Sequence, residues 1–529
     1  MSGVSAPWGD QIVASPIGDV TFRMYAQRPR RVESLLAQAV RWGARAHIVQ
    51  EGRVLGFDGL VRAVGAKVEH LRQRGVGRGA RVFLLGWNSP EWIVNYWACL
   101  AAGATPVLAN GWWSRAELAE GLARLQPVLT FADESGLARM PAGAPVGGWA
   151  IDPAAVGPSP PTVTDGLPDT ANGGGEEDIA TIIFTSGTEG RPKAVMLSHR
   201  ALLAGLHMLL HVTRRLPQNV TEKDGDVALH TGPLFHIGGV QTLLRAVVVG
   251  STLVFPGGKF DPGEAMALIE RHRISRWTAV PTMVSRLLDH PDVKTRDLTS
   301  LRSLTVGGAP VHTELLRRIR DGLPSVQARI PTGYGLTENG GQASAAADSA
   351  EGPGSAGRPL PCVELRILPR AGLTDGEILV RSPTQMSGYY DSAQSPVDAE
   401  GWLHTGDLGR IDAKGMLWIT GRCKDMIIRG GENIAPVAVE VALMTIPGVV
   451  EAAVVGVPHP DLGEEVMAVV VTDRALTAEQ LQAALRDKVA SFAVPSRWSI
   501  QTEPLPTNPA GKVEKPVLMA RLREQGMLA

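Results

Sequence analysis

Short apolar stretches typical of strands alternate with stretches typical of helices over much of this chain. "ARVFLLGW" precedes "SPEWIVNYWACLAAG", "TPVLAN" precedes "SRAELAEGLARLQ", and "STLVF" precedes "DPGEAMALIERHR". Because a helix between two strands allows them to run parallel in one sheet, this alternation is typical of parallel sheets covered by helices. We therefore predict an α/β fold.

The chain is long enough for two domains, and its pattern changes near residue 420. A chain of 529 residues exceeds what one hydrophobic core usually organises. Upstream, "GWLHTGDLGRIDAKGMLWITG" has the pattern of short strands joined by glycine turns; downstream, "APVAVEVALMTIPGVVEAAVVGVPHP" and "LTAEQLQAALRDKV" favour a helix, a strand and a second helix. We predict a boundary within "TGRCKDM", between a large domain at 1–421 and a small α+β domain at 422–529.

Charge and cysteine content argue against several classes of protein. Lysine and arginine number 52 against 53 acidic residues, and no block of like charge predicts binding to nucleic acid or to a membrane surface. Cys99, Cys362 and Cys423 are too scattered for a disulfide framework or a zinc site. The amino terminus lacks the pattern of an export signal, and the longest apolar run is about half a membrane span. We predict a cytoplasmic protein without a transmembrane helix.

A polar, glycine-rich loop lies between two apolar stretches. Its notable residues are Thr185, Ser186, Gly187, Thr188, Gly190 and Lys193. Glycines let backbone N–H groups approach an anion, hydroxyls donate hydrogen bonds and a lysine adds charge, so the combination favours phosphate binding over a merely solvated loop. The spacing differs from the Walker pattern GxxxxGK[ST]. Because "DIATIIF" resembles a buried strand and "SHRALLAGLHMLL" an amphipathic helix, we place the loop between a strand and a helix.

Seven stretches together resemble the motifs of the adenylate-forming superfamily, which includes acyl-CoA synthetases such as fatty-acid–CoA ligases, luciferases and the adenylation domains of nonribosomal peptide synthetases. They are "TSGTEGRPKAVMLSH" (185–199), "PLFHIGG" (233–239), "VGGAP" (306–310), "TGYGLTE" (332–338), "GWLHTGDLG" (401–409), "GRCKDMIIRGGENIAP" (421–436) and "LPTNPAGKVEK" (505–515). All occur in the family's order. The resemblance implies a large adenylation domain followed by a small mobile lid domain.

The resemblance also implies a nucleotide site. Asp407 would accept hydrogen bonds from the ribose hydroxyls, although an aspartate in such a turn is more often a capping residue. Tyr334 would stack on adenine, Thr337 would bond the α-phosphate and Glu338 would hold Mg²⁺. The implied ATP- and AMP-binding residues are Thr185, Ser186, Gly187, Thr188, Gly190, Lys193, Gly308, Ala309, Tyr334, Thr337, Asp407 and Arg422.

By resemblance, the carboxyl-terminal region supplies a catalytic lysine and a hinge. Lys512 resembles the lysine that bridges the carboxylate and the α-phosphate while charge develops, and Lys515 is the alternative. Thr337, Glu338 and His236 complete the catalytic residues that we predict. Lys424 matches the hinge about which the small domain rotates between half-reactions. After rotation, Gly430 and Gly431 would leave room for a pantetheine arm.

The residues around the implied acid pocket carry no basic side chain. His236 stands where the family has a pocket gate, although a lone histidine is more often a core residue. The predicted lining is His236, Ile237, Gly238, Val240, Thr282, Met283, Gly307, Gly333, Gly340 and Gly341. An unpaired buried charge is costly, so the acid should be neutral apart from its carboxylate. The glycines predict room for a ring or a medium-length chain.

The predicted function is ATP-dependent activation of a neutral carboxylic acid to an acyl-adenylate with release of pyrophosphate, followed by transfer to coenzyme A. An amide bond synthetase with an amine or amino acid acceptor is the alternative, because the adenylation residues cannot separate the two. The joint presence of Lys512, Thr337, Glu338 and Asp407 argues against a nucleotide-binding protein without chemistry. We predict ATP, Mg²⁺ and coenzyme A as cofactors and substrates, a small carboxylic acid as a further partner, and a monomer or homodimer.

Overall fold

Helices and strands alternate through most of the chain in the computed structural model. It describes residues 8–151, 174–185, 192–307, 311, 313–326, 332–346, 355–369, 375–392, 394–430, 432–486, 488–507 and 513–528. The helices are α1 (Leu36–Ala39), α2 (Phe57–Gln73), α3 (Pro90–Ala101), α4 (Arg115–Leu125), α5 (Glu134–Leu137), α6 (His199–Val212), α7 (Ile237–Val249), α8 (Pro262–His272), α9 (Pro281–Asp289), α10 (Thr313–Gly322), α11 (Pro436–Leu443), α12 (Ala478–Leu485) and α13 (Lys515–Glu524).

The strands of the described residues range from two to eleven residues in length. They are β1 (Ile12–Ile17), β2 (Val20–Tyr25), β3 (Ala46–Gln50), β4 (Arg53–Gly56), β5 (Arg81–Leu85), β6 (Thr105–Leu108), β7 (Leu129–Ala132), β8 (Val146–Gly147), β9 (Ile179–Thr185), β10 (Lys193–Ser198), β11 (Val227–His230), β12 (Thr252–Phe255), β13 (Arg276–Ala279), β14 (Ser303–Val306), β15 (Thr332–Tyr334), β16 (Ser344–Ala346), β17 (Ser355–Pro359), β18 (Glu364–Leu368), β19 (Gly376–Arg381), β20 (Gly388–Tyr389), β21 (Leu403–Ile411), β22 (Leu417–Arg422), β23 (Ile427–Arg429), β24 (Glu432–Ile434), β25 (Val449–His459), β26 (Gly463–Thr472) and β27 (Arg497–Gln501).

Two mainly parallel sheets form the body of the amino-terminal part. The first has the strand order β20-β10-β9-β6-β5-β7-β8, and the second β14-β13-β11-β12-β3-β4. Pairing is parallel from β9 to β8 in the first and from β14 to β3 in the second. Helices follow the strands where the sequence predicts them, as α3 follows β5 and α8 follows β12. The predicted α/β architecture is confirmed.

Local sequence signals explain where these helices begin. The Ser89 side chain accepts a hydrogen bond from the Trp92 N–H at the start of α3, and Pro90 occupies the first helical position. Ser114 and Glu117 form a capping box at the start of α4. Each cap satisfies backbone donors that the first helical turn leaves without partners.

The first hydrophobic core lies between the two parallel sheets. Fully buried side chains from α2, α3, α6 and α7 meet residues of both sheets there, and examples are Leu60, Trp92, Leu206, Leu244, Leu84 and Ile48. Burial of apolar side chains at this density supplies most of the stabilisation of such a body. The core fixes the relative position of the loops at the carboxyl ends of the strands.

The glycine-rich loop joins two antiparallel strands. β9 pairs with β10, and Thr185 lies opposite Lys193. α6 begins directly after β10, where the Ser198 side chain accepts from the Ala201 N–H. The prediction that the loop joins a strand to a helix is therefore wrong, because "KAVMLS" first adds a strand to the sheet.

A third sheet is antiparallel and contains the predicted glycine-turn strands. Its order is β15-β16-β17-β22-β21-β19-β18. β21 and β22 form the hairpin that "GWLHTGDLGRIDAKGMLWITG" predicts, and Asp407 lies opposite Arg422 in its register. This pairing brings two predicted nucleotide-binding residues together.

The carboxyl-terminal part contains a sheet with separate cores on its two faces. The strand order is β24-β23-β26-β25, and β27 runs parallel beside β26. Leu443 of α11 and Leu481 of α12 are buried on one face, and Leu518 and Leu522 of α13 on the other. A small α+β domain after the large one is confirmed, while the boundary between residues 421 and 422 stays a prediction. Within the described part of the chain, no helix has the length and apolar character needed to cross a membrane.

Candidate active site

Asp407 is the centre of a contact group formed with Tyr334 and Arg422. The Tyr334 hydroxyl donates to Asp407 Oδ2 at 2.7 Å, and Arg422 Nε lies 2.8 Å from Asp407 Oδ1. Burial and the neighbouring carboxylate raise the pKa of Tyr334 well above its ordinary value, so the phenol remains a donor. The group presents a carboxylate, a cation and an aromatic ring together, which suits a ribose and a base.

The turn before Asp407 is held by the neighbouring strand. The Thr405 hydroxyl donates to the Ile378 carbonyl, and the Gly406 N–H donates to Glu377 Oε1. Gly406 has a φ of 70°, a conformation that favours glycine. The Asp407 N–H donates to Thr405 Oγ1 at 3.1 Å. These contacts fix the direction in which the buried Asp407 side chain leaves the strand.

A second contact group joins Glu338 to the hairpin of β9 and β10, which we call the phosphate hairpin because it flanks the predicted phosphate-binding loop. Lys193 Nζ lies 5.0 Å from the centre of the Tyr389 ring, and the Tyr389 hydroxyl donates to Glu338 Oε1 at 3.1 Å. Thr337 and Glu338 lie in a short 3₁₀ turn, where the Met386 N–H donates to the Glu338 carbonyl. The structure therefore brings the predicted phosphate-binding lysine and the predicted metal-binding carboxylate to one tyrosine.

Several predicted site residues lie outside the described residues. They are Ser186, Gly187, Thr188, Gly190, Gly308, Ala309, Gly431 and Lys512. Their assignments stay predictions.

The single carboxylate of Glu338 suits Mg²⁺, which also takes phosphate and water oxygens, better than a metal ion held only by protein side chains. The described residues contain no group of three or more histidine, cysteine, aspartate or glutamate side chains placed to hold a metal ion. Mg²⁺ usually takes one or two carboxylates together with phosphate and water oxygens. A single carboxylate that shares Tyr389 with the predicted phosphate-binding Lys193 is consistent with that preference.

His236 lies at the start of α7 in a mostly buried position. Burial lowers its pKa to about 4, so the imidazole is neutral near pH 7. Its ring centre lies 4.9 Å from that of Phe235, which in turn packs 5.3 Å from Trp112. A neutral imidazole beside Phe235, which itself packs on Trp112, is compatible with an apolar ligand.

The other predicted pocket residues fall into two groups. A Cβ added at Gly341 would lie 3.0 Å from Ile237 Cγ1, so these two predicted residues are neighbours. Gln241 Nε2 donates to the Gly340 carbonyl, which links α7 to the same turn. At Gly238 and Gly307, an added Cβ would meet no atom within 4 Å. Val240 is fully buried in the first core. Thr282 and Met283 lie at the start of α9, and Gly333 lies in β15.

Of the predicted carboxyl-terminal residues, Lys424 and Gly430 are exposed, whereas Lys515 contacts other parts of the small domain. Lys424 is exposed in a 3₁₀ turn, Cys423–Asp425, between β22 and β23. Gly430 is exposed with a φ of 57°. Lys515 Nζ instead lies 2.8 Å from Glu440 Oε1 and donates to the Val454 carbonyl. Lys515 therefore ties α13 to α11 and β25.

Sequence reasoning missed Tyr389 and Thr405. Tyr389 comes beside Lys193 because β20 pairs with β10, with Val195 opposite Tyr389. No spacing pattern links positions so far apart in the chain. Thr405 lies inside the "TGD" motif, where a hydroxyl two residues before an aspartate is a recognisable turn signal.

Two family models match this chain. The model for the AMP-binding enzyme matches residues 35–390, and that for the AMP-binding enzyme C-terminal domain matches residues 438–512. The chain therefore belongs to the AMP-binding enzyme family. The predicted membership in the adenylate-forming superfamily is confirmed.

Curated proteins and solved structures are similar over most of the chain. A feruloyl-CoA synthase of Amycolatopsis sp. is 34% identical over 503 residues, covering 90% of this chain and 94% of the relative. The 3-[(3aS,4S,7aS)-7a-methyl-1,5-dioxo-octahydro-1H-inden-4-yl]propanoyl:CoA ligase of Mycobacterium tuberculosis is 35% identical over 510 residues, covering 90% and 95%.

Among solved structures, ATP-bound MatB from Rhodopseudomonas palustris superimposes with a TM-score of 0.78 at 28% identity, covering 92% of this chain and 99% of that one. A variant of the amide bond synthetase McbA from Marinactinospora thermotolerans gives a TM-score of 0.78 at 27% identity, covering 93% and 99%.

Proposed function

We propose that this protein is an AMP-forming acid–CoA ligase. Relatives matched over 90% of the chain are named as CoA ligases or synthases. The observation that carries the proposal is that motif residues from separate stretches of the chain meet. Tyr334 contacts Asp407, which also contacts Arg422, and Tyr389 joins Lys193 to Glu338. The first group suits a nucleoside and the second a phosphate with its cation.

The first half-reaction activates the acid. A carboxylate oxygen attacks the α-phosphorus of ATP, a new O–P bond forms, the bond to the bridging oxygen of the β-phosphate breaks, and pyrophosphate leaves. Lys193 and Thr337 would hold phosphate oxygens, together with the loop hydroxyls of Ser186 and Thr188. Lys512 would compensate the negative charge that grows between the carboxylate and the α-phosphate.

Glu338 is the carboxylate that we propose as the protein ligand of Mg²⁺. The ion, when bound with ATP, neutralises charge on the phosphate oxygens. Tyr389 engages Glu338 Oε1, which leaves Oε2 as a donor atom for the cation. Asp407 would accept hydrogen bonds from the ribose hydroxyls, and Gly308, Ala309 and Tyr334 would contact adenine.

The second half-reaction transfers the acyl group. The sulfur of coenzyme A attacks the carbonyl carbon of the acyl-adenylate, the thioester bond forms, the bond to the AMP oxygen breaks, and the thiol proton passes to solvent. We propose that residues 422–529 rotate about Lys424 between the two steps. Lys512 would then leave the phosphate, and the segment with Gly430 and Gly431 would face the acceptor.

The acid that we propose is a small carboxylic acid without a second charge. His236 is held neutral by burial, and the predicted lining contains no lysine or arginine. A second buried charge on the substrate would therefore find no partner, at a cost of several kcal/mol. The Phe235 ring beside His236, the Trp112 ring packed on Phe235 and the open space beside Gly238 favour a ring-containing or medium-length acid.

One comparison supports the alternative that this protein is an amide bond synthetase. The similar McbA structure has a TM-score of 0.78, equal to that of MatB. Both chemistries share the adenylation step, so they differ only in the acceptor.

Pyrophosphate release with a panel of acids tests the proposal. The panel should contain alkyl and aryl monocarboxylates, dicarboxylates and amino acids, each with coenzyme A, with an amine or with no acceptor. We expect monocarboxylates to be preferred and a thioester to form with coenzyme A. An amide product without a thioester would favour the synthetase alternative, and preference for an amino acid would contradict the neutral pocket.

A further inference from the structure

Tyr389 lies on a short strand at the edge of the first sheet, beside the phosphate hairpin. β20 pairs antiparallel with β10, and the register places Tyr389 opposite Val195, two residues after Lys193. Before β20, the Ser387 N–H donates to the Met196 carbonyl and the Met386 N–H to the Glu338 carbonyl. This segment is therefore bonded on one side to the hairpin and on the other to the turn that carries Glu338.

The Tyr389 side chain makes two separate contacts with proposed site residues. Its hydroxyl donates to Glu338 Oε1 at 3.1 Å, and its ring receives Lys193 Nζ at 5.0 Å from the centroid. The first contact is a hydrogen bond to a carboxylate, and the second is a cation–π contact within the usual range. One side chain thus holds an anion and a cation that are far apart in sequence.

We propose that Tyr389 is a positioning residue of the phosphate site, which orients Glu338 toward Mg²⁺ and Lys193 toward the phosphate oxygens. This inference rests on the proposed function, because it assumes that Glu338 and Lys193 act on Mg²⁺–ATP. Carboxylates that ligate a metal are commonly oriented by an outer hydrogen bond, and loss of such a bond typically costs about 10- to 100-fold in metal affinity or activity.

The phenol is suited to this role because its hydroxyl is a neutral hydrogen-bond donor. It occupies one carboxylate oxygen of Glu338 without competing for the cation as a charged group would.

Two substitutions separate the two contacts. Tyr389→Phe removes the hydroxyl and keeps the ring under Lys193, while Tyr389→Leu removes both. Tyr390→Phe is the matched control, since Tyr390 belongs to the same "GYY" segment but packs with Arg81, whose guanidinium carbon lies 5.3 Å from its ring centre. A purely structural role for the segment would make the two phenylalanine variants behave alike.

The experiment measures nucleotide binding by calorimetry and the Mg²⁺ dependence of pyrophosphate release. We expect Tyr389→Phe to weaken ATP binding in Mg²⁺ by about tenfold and to raise the Mg²⁺ concentration for half-maximal activity by a similar factor. AMP binding in EDTA should stay within about twofold of wild type, because AMP does not need the cation. Tyr389→Leu should also weaken ATP binding in EDTA, because Lys193 loses its contact.

The outcomes distinguish this inference from the proposed function. If wild-type protein releases pyrophosphate and Tyr389→Phe matches Tyr390→Phe in Mg²⁺ dependence, Tyr389 is not a positioning residue. Equal weakening of AMP and Mg²⁺–ATP binding by Tyr389→Phe would also overturn the inference, since it would indicate general disturbance of the site. If wild-type protein neither binds ATP nor releases pyrophosphate with any acid, the proposed function itself fails.

Discussion

The Tyr334 hydroxyl donates a hydrogen bond of 2.7 Å to Asp407 Oδ2. Asp407 lies in β21 opposite Arg422, which contacts the other carboxylate oxygen at 2.8 Å. Two protein side chains thus hold the carboxylate in one orientation. Such preorganisation lowers the cost of ordering the site when ligand binds.

Asp407→Ala should weaken ATP binding strongly. A buried pair of ribose hydrogen bonds contributes roughly 2 to 3 kcal/mol, equivalent to about 30- to 150-fold in affinity. Tyr334→Phe keeps the ring and should have a smaller effect, because only the orienting hydroxyl is lost. Calorimetric titration with ATP checks both, and unchanged affinity in Asp407→Ala would remove this residue from the site.

Lys512→Ala should slow formation of the acyl-adenylate by roughly two orders of magnitude or more, the scale expected for loss of one group that stabilises transition-state charge. Thioester formation from presynthesised acyl-adenylate should survive. Single-turnover assays of each half-reaction measure the two steps. An equal fall in both would contradict the assignment.

Lys515→Ala is the matched control for Lys512. Lys515 contacts Glu440 and the Val454 carbonyl within the small domain. Its loss should reduce the free energy of unfolding by about 1 kcal/mol and leave adenylation near the wild-type rate. A selective loss of adenylation in this variant would transfer the catalytic role to Lys515.

Lys424→Pro should stall the second half-reaction while the first proceeds. Proline fixes φ near −65° and removes an N–H, so the backbone could not take a second conformation at this position. We expect a single turnover of pyrophosphate release, with acyl-adenylate left bound. Lys424→Ala should transfer nearly normally, because only backbone freedom is required. Transfer at the wild-type rate by the proline variant would place the hinge elsewhere.

Buried histidines should make the protein less stable in mild acid. Burial lowers the pKa of His47, His207, His230 and His236 from 6.5 to about 4 in the folded state. Between about pH 4 and pH 6.5, these histidines bind more protons in the unfolded chain than in the folded protein. The free energy of unfolding therefore falls as the pH falls from about 6.5 toward 4. Above this window, the four histidines contribute no pH dependence.

Urea unfolding at a series of pH values measures this dependence. A His47→Gln variant has one fewer group to protonate on unfolding, so its stability should change less steeply across the same window. The slope with pH, rather than the absolute stability, is the informative quantity. Identical slopes in the two proteins would show that His47 does not contribute.

The sequence by itself determined the class of fold, most of the elements and the order of the motifs. Helix starts depend on capping residues such as Ser89 and Ser114, and helices and strands depend on the spacing of apolar residues. Both signals involve only a few neighbouring positions, so a short stretch of sequence is enough to recognise them. The hairpin that contains the "TGD" motif can be predicted in the same way, because its two strands are adjacent in the chain. The same local signals predicted α11, β25 and α12 of the small domain.

Only the tertiary structure decided how distant segments meet. The chain after the glycine-rich loop forms β10 because it gains backbone partners in both β9 and β20, and β20 lies nearly two hundred residues further along. This pairing placed Tyr389 between Lys193 and Glu338, although no spacing rule connects the three. Strand pairing between remote segments depends on the packing of the whole sheet, and therefore no local pattern of residue types can specify it.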